Sequence, residues 1–331
     1  MNLDDLDLFK QIDSQNKIQE IDDLPDQLQA AWELGQAQPL PDFSDIQRIV
    51  LASAGNLAVA AELVAASVSS NIRLPLALHR DFGLPAFASG RNTLVVCLGS
   101  DEETLDAFHS AIKCDCSVMA LAQGGELERL AAEKNIPVWT FESKPGFVFG
   151  FGLLLALFSR LGFITDPSSQ VNEAVESMKT SREHLRAEVP AANNAAKRYA
   201  GQLVGRWVTF IGTGQLAPIA RRWKARVNQM AKAAANFEAI PDAGYHAAFG
   251  VVNPAEVLNS RTMTLFLRAP ADDPRDRMRS DMLRQHFMLE GMNTDFVDAR
   301  GESVLANVWT LILFGDYMAY YLAMAYGVDP S

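Results

Sequence analysis

Cysteine is scarce in this sequence, and nothing at its start has the character of a leader. Cys97, Cys114 and Cys116 are the three cysteines in 331 residues, too few to supply the disulfide framework of a secreted domain. No basic stretch followed by an apolar run opens the chain, so we expect no secretory signal. A protein of the reducing cytoplasm is the expectation that follows.

Metal-ligand spacing is also missing. Cys114 and Cys116 flank Asp115 and could form half of a metal clip, but no second Cys or His pair stands at ligand spacing. Two ordinary thiols beside a strand are the favoured interpretation. We therefore predict no metal and no cofactor.

The chain lacks an excess of basic charge. It carries 29 Lys and Arg against 40 Asp and Glu, a net charge of −11, and the first 50 residues hold 11 of the acidic groups but only three basic ones. A nucleic-acid binder needs a basic face against the phosphates. We expect no nucleic-acid partner.

Long apolar runs are few, and each has features that argue against a membrane span. Residues 146–164 contain four glycines and Arg160, and residues 305–328 contain Asp316 and several aromatic residues that carry polar groups. The length approaches the ~20 residues that a bilayer requires, but an internal charge weakens that interpretation. Two buried core helices are predicted, and no membrane partner.

Short apolar strands alternate with helices along most of the chain, after a helical, acidic N-terminal region. This alternation predicts an α/β protein with parallel sheets covered by helices on both faces. The predicted strands cover residues 48–52, 74–78, 93–98, 117–121, 137–141, 207–211, 262–267 and 296–298. The main predicted helices cover residues 56–67, 102–112, 126–133, 171–188, 217–235, 275–290 and 302–326.

Two such α/β units of similar design meet near residue 190. We predict N-terminal helices and a first domain over residues 1–165, a helical connector over residues 166–190, and a second domain over residues 191–331.

Glycine-containing loops follow three predicted strands of the first unit. Gly55 with Asn56, Gly99 with Ser100, and Gln123 before two glycines stand at strand ends that lead into helices. Ligands of open α/β sheets bind at such ends, where helix N-termini attract anions. The alternative is that these glycines only make tight turns. Gly212-Thr213-Gly214 has the same placement, but it lacks the third glycine of a dinucleotide fingerprint.

Several segments, in the same order nearly end to end, resemble the bifunctional phosphoglucose/phosphomannose isomerase family, whose chains hold two sugar-isomerase (SIS) domains. The resembling segments are IVLASAGNLAVAAELV at 49–64, LGSDEETLDAF at 98–108, ALAQGGEL at 120–127, Arg222-Trp223-Lys224 with Asn228 and Lys232, and the run from Gly315 to Pro330.

The resemblance implies two SIS domains, a homodimer, and metal-free aldose–ketose isomerisation of a sugar phosphate. It implies that the ligand is a sugar phosphate or a related carbohydrate. The positions that we assign to its binding are Gly55, Asn56, Gly99, Ser100, Thr104, Gln123 and Arg222.

The sequence departs from the family where phosphate is held. The family loop S-Y-S-G-N-T-E-E-T matches residues 96–104, in which two serines become Val96 and Leu98 and a threonine becomes Asp101. A carboxylate there repels a phosphate dianion. Leu57, Gln123 and Gly146 stand where the family has two serines and an arginine.

It departs again at the acid–base groups. The family base is a glutamate in N-E-N, matched by Gln229, and an amide cannot accept that proton. The family histidine for ring opening is matched one position away by His246, which can equally be an ordinary loop residue. The family lysine lies beyond a D-P motif that Asp329 and Pro330 match, and the sequence ends at Ser331. If any isomerase chemistry remains, Gln229 stands at the base position and His246 is the acid/base candidate.

Arg221, Arg222, Lys224 and Arg226 form a basic helix face. Ion pairing is the more frequent role of such a face, and anion binding is the alternative. The other histidines, His79, His109, His184 and His286, accompany no nucleophile motif.

Two functional hypotheses follow. The first is a SIS-domain protein that binds a sugar phosphate and retains little isomerase activity. The alternative is a non-catalytic regulatory or structural subunit that binds a sugar derivative or a protein partner.

Overall fold

The structure, a computed structural model, describes residues 2–141 and 146–331. The chain divides into two compact units. Asp26–Ser169 is called the first-sheet unit, and Met1–Pro25 together with Gln170–Ser331 is called the second-sheet unit. Each unit contains one sheet in which every recorded strand pairing is parallel. The predicted α/β class with two helix-flanked parallel sheets is confirmed.

The helices and strands alternate along most of the chain as the sequence predicts, with α9, β7 and α11 as additional elements. In chain order the helices are α1 (Leu6–Ile12), α2 (Lys17–Asp22), α3 (Leu24–Ala37), α4 (Gly55–Val68), α5 (Glu102–Lys113), α6 (Glu126–Glu133), α7 (Gly146–Arg160), α8 (Ser168–Arg182), α9 (Ala195–Leu203), α10 (Ala217–Met230), α11 (Ala255–Arg261), α12 (Pro274–Leu289) and α13 (Val304–Tyr326). The strands are β1 (Arg48–Ser53), β2 (Leu76–His79), β3 (Thr93–Leu98), β4 (Ser117–Ala122), β5 (Val138–Thr140), β6 (Trp207–Thr213), β7 (Ala235–Ile240), β8 (Thr262–Arg268) and β9 (Thr294–Asp298).

The first sheet has the strand order β2-β1-β3-β4-β5. Its central strand β3 is buried at every residue, as a strand covered on both faces should be. The register pairs Ser53 with Leu98 and Leu98 with Leu121. The carboxyl ends of β1, β3 and β4 therefore lie side by side at one edge.

Helix α7 is the buried core helix predicted over residues 146–164. Its side chains from Phe147 to Phe158 are buried. Small residues let α3 approach it closely, since a Cβ added at Gly152 would lie 2.6 Å from the Cβ of Ala31. A larger residue at this crossing would push the two helices apart.

The second sheet has the strand order β7-β6-β8-β9. Helix α13 packs on this unit and is long and apolar enough to cross a membrane by length and composition, but 89% of its most apolar 18-residue window is buried inside the protein. Burial of this kind is that of a core helix in a globular fold, as predicted from the internal Asp316.

The single helix predicted over residues 217–235 was wrong at its end. Helix α10 stops at Met230, and the chain then forms β7, a strand that the sequence analysis missed. Lys232 adopts a left-handed backbone with φ of 51°, which an α-helix cannot continue through. The Asn228 side-chain amide donates to the Ala233 carbonyl at 2.7 Å and closes the turn.

The first 25 residues pack with the second sheet, whereas the sequence analysis grouped residues 1–165 as one domain. Phe9 of α1 meets the ring of Tyr320 edge to face, 6.0 Å between centroids. The Tyr317 hydroxyl of α13 donates to the Asp22 carboxylate. Burial of these aromatic rings therefore holds the N-terminal helices in the second-sheet unit, although the first sheet follows them along the sequence.

Candidate functional site

Three loops meet at the carboxyl edge of the first sheet. Gly55 with Asn56, Gly99 with Ser100, and Gln123 follow β1, β3 and β4, which are neighbours in the sheet. The structure thus brings together the first-unit positions that the sequence analysis assigned to binding. We call this group of loops the loop edge.

Glycine is required in the backbone of the loop edge. Gly99 has φ of 91° and donates its N–H to the Leu121 carbonyl at 3.1 Å. Gly125 has φ of 79° and ψ of −156°, a region that side chains avoid. The Ser100 hydroxyl lies 3.4 Å from the Gly124 carbonyl and 3.4 Å from the Leu127 amide nitrogen. The loops are therefore held by their own backbone and by one serine.

Helices α4, α5 and α6 begin at the loop edge, and none receives a capping hydrogen bond from its N-cap side chain. The N-cap residues are Ala54, Asp101 and Gly125. The first N–H groups of a helix have no partner within it and carry partial positive charge. The Leu127 N–H of α6 donates to the Ser100 hydroxyl at 3.4 Å, which leaves α4 and α5 as the two helix starts without a side-chain cap. These two starts suit a ligand that offers acceptor oxygens.

The side chains at this edge have a different character. A Cβ added at Gly99 would lie 2.8 Å from the Leu57 side chain and 3.4 Å from the Asp101 carboxylate. Leu57 also lies against Gly150 of α7, where an added Cβ would be 2.6 Å away. The Thr104 hydroxyl is buried without a hydrogen-bond partner in the described part of the chain. A hydrocarbon and a carboxylate thus stand beside the backbone donors.

Gln123 reaches across to the start of α7. A Cβ added at Gly146 would lie 2.6 Å from the Gln123 Oε1. The absence of a side chain at Gly146 therefore makes room for the amide of Gln123.

Arg222 is placed inside the second-sheet unit, with 8% of its surface exposed. Its guanidinium donates to Asp316 of α13 at 2.6 Å, and the Arg226 Nε donates to the other oxygen of the same carboxylate at 3.1 Å. Burial lowers the pKa of Arg222 to about 10. Ion pairing thus describes this part of the basic face, and sugar binding by Arg222 stays a prediction.

Gln229 and His246 lie at opposite ends of the second sheet. Helix α10 follows β6, so it starts at the carboxyl edge and returns over 14 residues, about 21 Å, to the amino edge near Gln229. His246 follows β7 and lies exposed at the carboxyl edge. One chain does not bring the two together, and their catalytic roles stay predictions.

The thiols are those of ordinary cysteines. Cys97 is buried in β3, and burial raises its pKa to about 12. Burial also raises the pKa of Cys116 to about 11. Within residues 2–141 and 146–331, no group of three or more His, Cys, Asp and Glu side chains is placed to hold a metal ion.

Two cavities in the second-sheet unit were missed from the sequence. One, of about 810 Å³, lies among α8, α9, β9 and α13. The other, of about 300 Å³, lies between the end of β7 and α12. The one available signal for the larger cavity was the run Ser177, Ser181 and His184, which repeats at helical spacing.

Known proteins with related sequences decide the family. A bifunctional phosphoglucose/phosphomannose isomerase of Caldicellulosiruptor bescii is 30% identical over 319 residues, which cover 93% of each chain. The chain belongs to the bifunctional phosphoglucose/phosphomannose isomerase family. The protein of that name from Aquifex aeolicus is 27% identical over 77% of each chain. The bacterial phospho-glucose isomerase C-terminal SIS domain matches residues 192–331 of this family member.

Solved structures agree on the fold. A glucose-6-phosphate isomerase like protein from Thermus thermophilus superposes with a TM-score of 0.69 at 19% identity, over 100% of this chain and 98% of that one. Tagatose-6-phosphate ketose/aldose isomerase from Escherichia coli gives a TM-score of 0.70 at 14% identity, over 96% and 95%. This member of the isomerase family therefore has the SIS fold.

Proposed function

We propose that this family member binds a sugar phosphate or a related carbohydrate at the loop edge and catalyses little or no aldose–ketose isomerisation. The observation that carries the proposal is the mismatch within the loop edge. Its backbone presents the helix starts of α4 and α5 without side-chain caps, while Leu57 and Asp101 occupy the space beside Gly99.

Binding is supported by the backbone. The N–H groups at the starts of α4 and α5, which receive no side-chain cap, can donate to phosphate or sugar oxygens. The exposed Asn56 and Gln123 side chains add amide donors and acceptors. The buried Thr104 hydroxyl has no partner within the described structure, so a ligand or a water that reached it would gain a hydrogen bond.

Weak isomerisation is supported by the groups that stand at the acid–base positions. Proton transfer between C1 and C2 of the sugar needs a base, and the Gln229 amide at the family glutamate position cannot act as one. Loss of a general base lowers the rate by roughly 10²–10⁴. Asp101 further opposes a phosphate dianion by charge repulsion.

A homodimer in the cytoplasm fits this proposal. Gln229 and His246 lie at opposite ends of one sheet, so they could share one sugar only if a second copy supplied one of them. Closed two-fold dimers are the commonest oligomers of soluble proteins.

A coupled assay tests the chemistry. Fructose 6-phosphate is supplied, and formation of glucose 6-phosphate and mannose 6-phosphate is followed for the wild type, Gln229→Glu and Gln202→Glu. The control Gln202 is an exposed glutamine on α9 of the same unit. We expect turnover to rise in Gln229→Glu alone. Wild-type turnover in the ordinary enzyme range of about 1–10³ s⁻¹ would contradict the proposal.

A binding assay tests the site. Calorimetry with fructose 6-phosphate and with fructose compares the wild type with Asn56→Trp and Asn71→Trp. Both asparagines are exposed, one at the start of α4 and the other just beyond its end. We expect Asn56→Trp to abolish binding and Asn71→Trp to retain it. Equal binding by both variants would remove the loop edge as the site.

Exposed apolar side chains favour a second candidate, a non-catalytic subunit that binds a protein partner. Tyr245 and Phe249, which lie in adjoining turns between β7 and α11, are 76% and 79% exposed. Large apolar side chains grouped at a surface mark interaction sites. This candidate would be favoured if the protein showed no turnover and no sugar binding, and if Tyr245→Ser and Phe249→Ser substitution changed its oligomeric state.

A further inference from the structure

The larger cavity of the second-sheet unit is unaccounted for by the proposed function. Its volume of about 810 Å³ falls in the range of about 300–1,000 Å³ typical of small-molecule sites. Helix α8 forms one wall, and the opposite side is formed by the end of β9 and the first half of α13.

The acidic groups around this cavity are already partnered. Glu173 accepts from the backbone N–H of Glu302 at 2.7 Å, which holds the pKa of its carboxyl below the usual value. Glu176 pairs with Lys179 at 3.0 Å. Asp298 pairs with Arg268 at 2.7 Å.

Arg300 is the exception among the charged groups of the cavity. Its backbone N–H and carbonyl bond to the Thr310 hydroxyl, but its guanidinium makes no ion pair or hydrogen bond within the described structure. Glu173 accepts from backbone N–H groups and keeps its negative charge. Arg300 is the one Lys or Arg side chain that lines the cavity in the described structure, so its unpaired guanidinium is the group that the oxygens of an anion would contact.

Hydrogen-bonding groups line the α8 wall. Ser177, Ser181 and His184 follow at intervals of four and three residues, so they share one face of the chain as it leaves the helix. The imidazole of His184 makes no hydrogen bond in the described structure. The Ser181 hydroxyl already donates to the Ser177 carbonyl at 2.8 Å, so Ser177 and His184 are the groups that can donate to the oxygens of a ligand held by Arg300.

The floor of the cavity is apolar and aromatic. Phe296 and Phe314 line it together with Tyr199, whose hydroxyl lies 2.9 Å from the Phe296 carbonyl oxygen and 3.0 Å from the Asp295 carboxylate. The Tyr199 hydroxyl is thereby fixed, and its ring meets Phe314 edge to face. A ring or short hydrocarbon placed here would be removed from water.

We propose that this cavity is a second ligand site that takes a small organic anion. The anionic oxygens face Arg300 and the α8 wall, and the apolar body of the ligand lies on Phe296 and Phe314. Phosphate and carboxylate both match the guanidinium fork, and the experiment distinguishes them.

The cavity is separate from the positions discussed under the proposed function. It lies beside β9, at the opposite side of the four-stranded sheet from β7 and His246. Gln229 lies near the other end of α13, since Lys232 bonds to both the Gln229 and Ser331 carbonyls. Helix α13 is 23 residues, about 35 Å, long. The effects of substitutions in the cavity can therefore be distinguished from the effects of substitutions at Gln229 and His246.

The experiment is calorimetry or ligand-observed NMR on the full chain with four probes. Phenyl phosphate and benzoate carry both the anion and the ring, inorganic phosphate carries the anion alone, and benzyl alcohol carries the ring alone. We expect phenyl phosphate and benzoate each to bind with a dissociation constant of about a millimolar or below. Their relative affinities show whether the site prefers phosphate or carboxylate. The single-feature probes should bind at least tenfold more weakly, and added salt should weaken the anions.

Three variants locate the site. Arg300→Ala should weaken phenyl phosphate about tenfold or more because a charge-assisted hydrogen bond is lost, and Thr180→Phe, on the α8 wall, should block the cavity. Arg279→Ala, which lines the smaller cavity, should bind as the wild type does. Asn56→Trp at the loop edge should also bind normally, which separates this site from the proposed sugar site.

The proposal is overturned if Arg300→Ala binds phenyl phosphate with wild-type affinity, or if neither phenyl phosphate nor benzoate binds up to about 10 mM, well above the expected constant. Circular dichroism and the melting temperature confirm that each variant is folded. Arg300 is exposed, so its substitution should leave the fold intact.

Discussion

The loop edge of the first-sheet unit and the interior of the second-sheet unit differ in how far the chain satisfies their polar groups. At the loop edge, α4 and α5 start without side-chain caps. In the second-sheet unit, α10 and α11 also start without a side-chain cap, but α9, α12 and α13 start with caps from Asn194, Asp273 and Ser303. The charges of Arg222, Arg226 and Asp316 meet inside the fold of this unit.

This difference distinguishes polar groups that are already bonded within the fold from polar groups that are available to a ligand. A helix cap contributes to stability, and a buried ion pair is costly to break because one charge is then left buried without its partner. An uncapped start leaves donors for water or a ligand. Chemistry is therefore expected at the loop edge and at the few unpaired groups of the second-sheet unit, above all Arg300.

The largest loss of stability is expected when the buried ion pairs of the second-sheet unit are broken. Asp316→Ala removes the carboxylate between Arg222 and Arg226 and should lower the free energy of unfolding by about 3–5 kcal/mol. The control Asp298→Ala removes an exposed pair with Arg268 and should cost about 1 kcal/mol or less. Urea unfolding measures both, and equal losses would show that burial does not distinguish the two pairs.

A smaller effect is expected from the backbone of the loop edge. Gly99→Ala places a Cβ in a left-handed conformation and against Leu57, and should cost about 2–3 kcal/mol. Gly55→Ala has positive φ but no atom within 4 Å of the added Cβ, so about 1 kcal/mol is expected. The difference in unfolding free energy reports the packing of Leu57, and its absence would indicate that the leucine moves aside.

Charge at the loop edge should change binding by a modest factor. Asp101→Asn should tighten fructose 6-phosphate about fivefold, on the order of 1 kcal/mol, because a like charge is removed. Asp115→Asn, just past the other end of α5 and exposed, should change little. Calorimetry at low salt provides the measurement, and weaker binding by Asp101→Asn would indicate that the carboxylate contacts the ligand.

The smallest effect concerns pH. Backbone N–H groups of Glu302 and Ser303 hold the pKa of Glu173 below its usual 4.5. A lowered folded-state pKa gives stability that is present above pH 4.5 and is lost as the pH falls through the folded value. Glu173→Gln should flatten the decline of the melting temperature below pH 4.5. Parallel profiles for variant and wild type would contradict the assignment.

Much of the fold could be predicted because apolar runs and loop residues act locally. The strand predicted over residues 93–98 and the helix over residues 126–133 match Thr93–Leu98 and Glu126–Glu133 in the structure. The loop edge followed from strand order, since neighbouring parallel strands end together. Strand β7 was missed because Lys232, and not a glycine, forms the left-handed turn before it, so the sequence did not indicate that the helix ends there.

The candidate sites were only partly predictable. The sequence marked Arg222 as one of four basic residues on a helix face, but a side chain 94 positions away, Asp316, is what it meets. The cavity at Arg300 joins α8, α9, β9 and α13, which no spacing rule relates. Gln229 and His246 were grouped by resemblance, and the sheet holds them apart.

The sequence by itself determined the α/β class, most of the order of the elements and the chemical departures at Leu57, Asp101 and Gln229, since periodicity and side-chain chemistry are properties of residue types. Tertiary structure alone decided which polar groups are satisfied. Whether a charge is paired or available depends on partners brought together by folding, as Asp316 is to Arg222, and as no partner is to the guanidinium of Arg300 within the described structure.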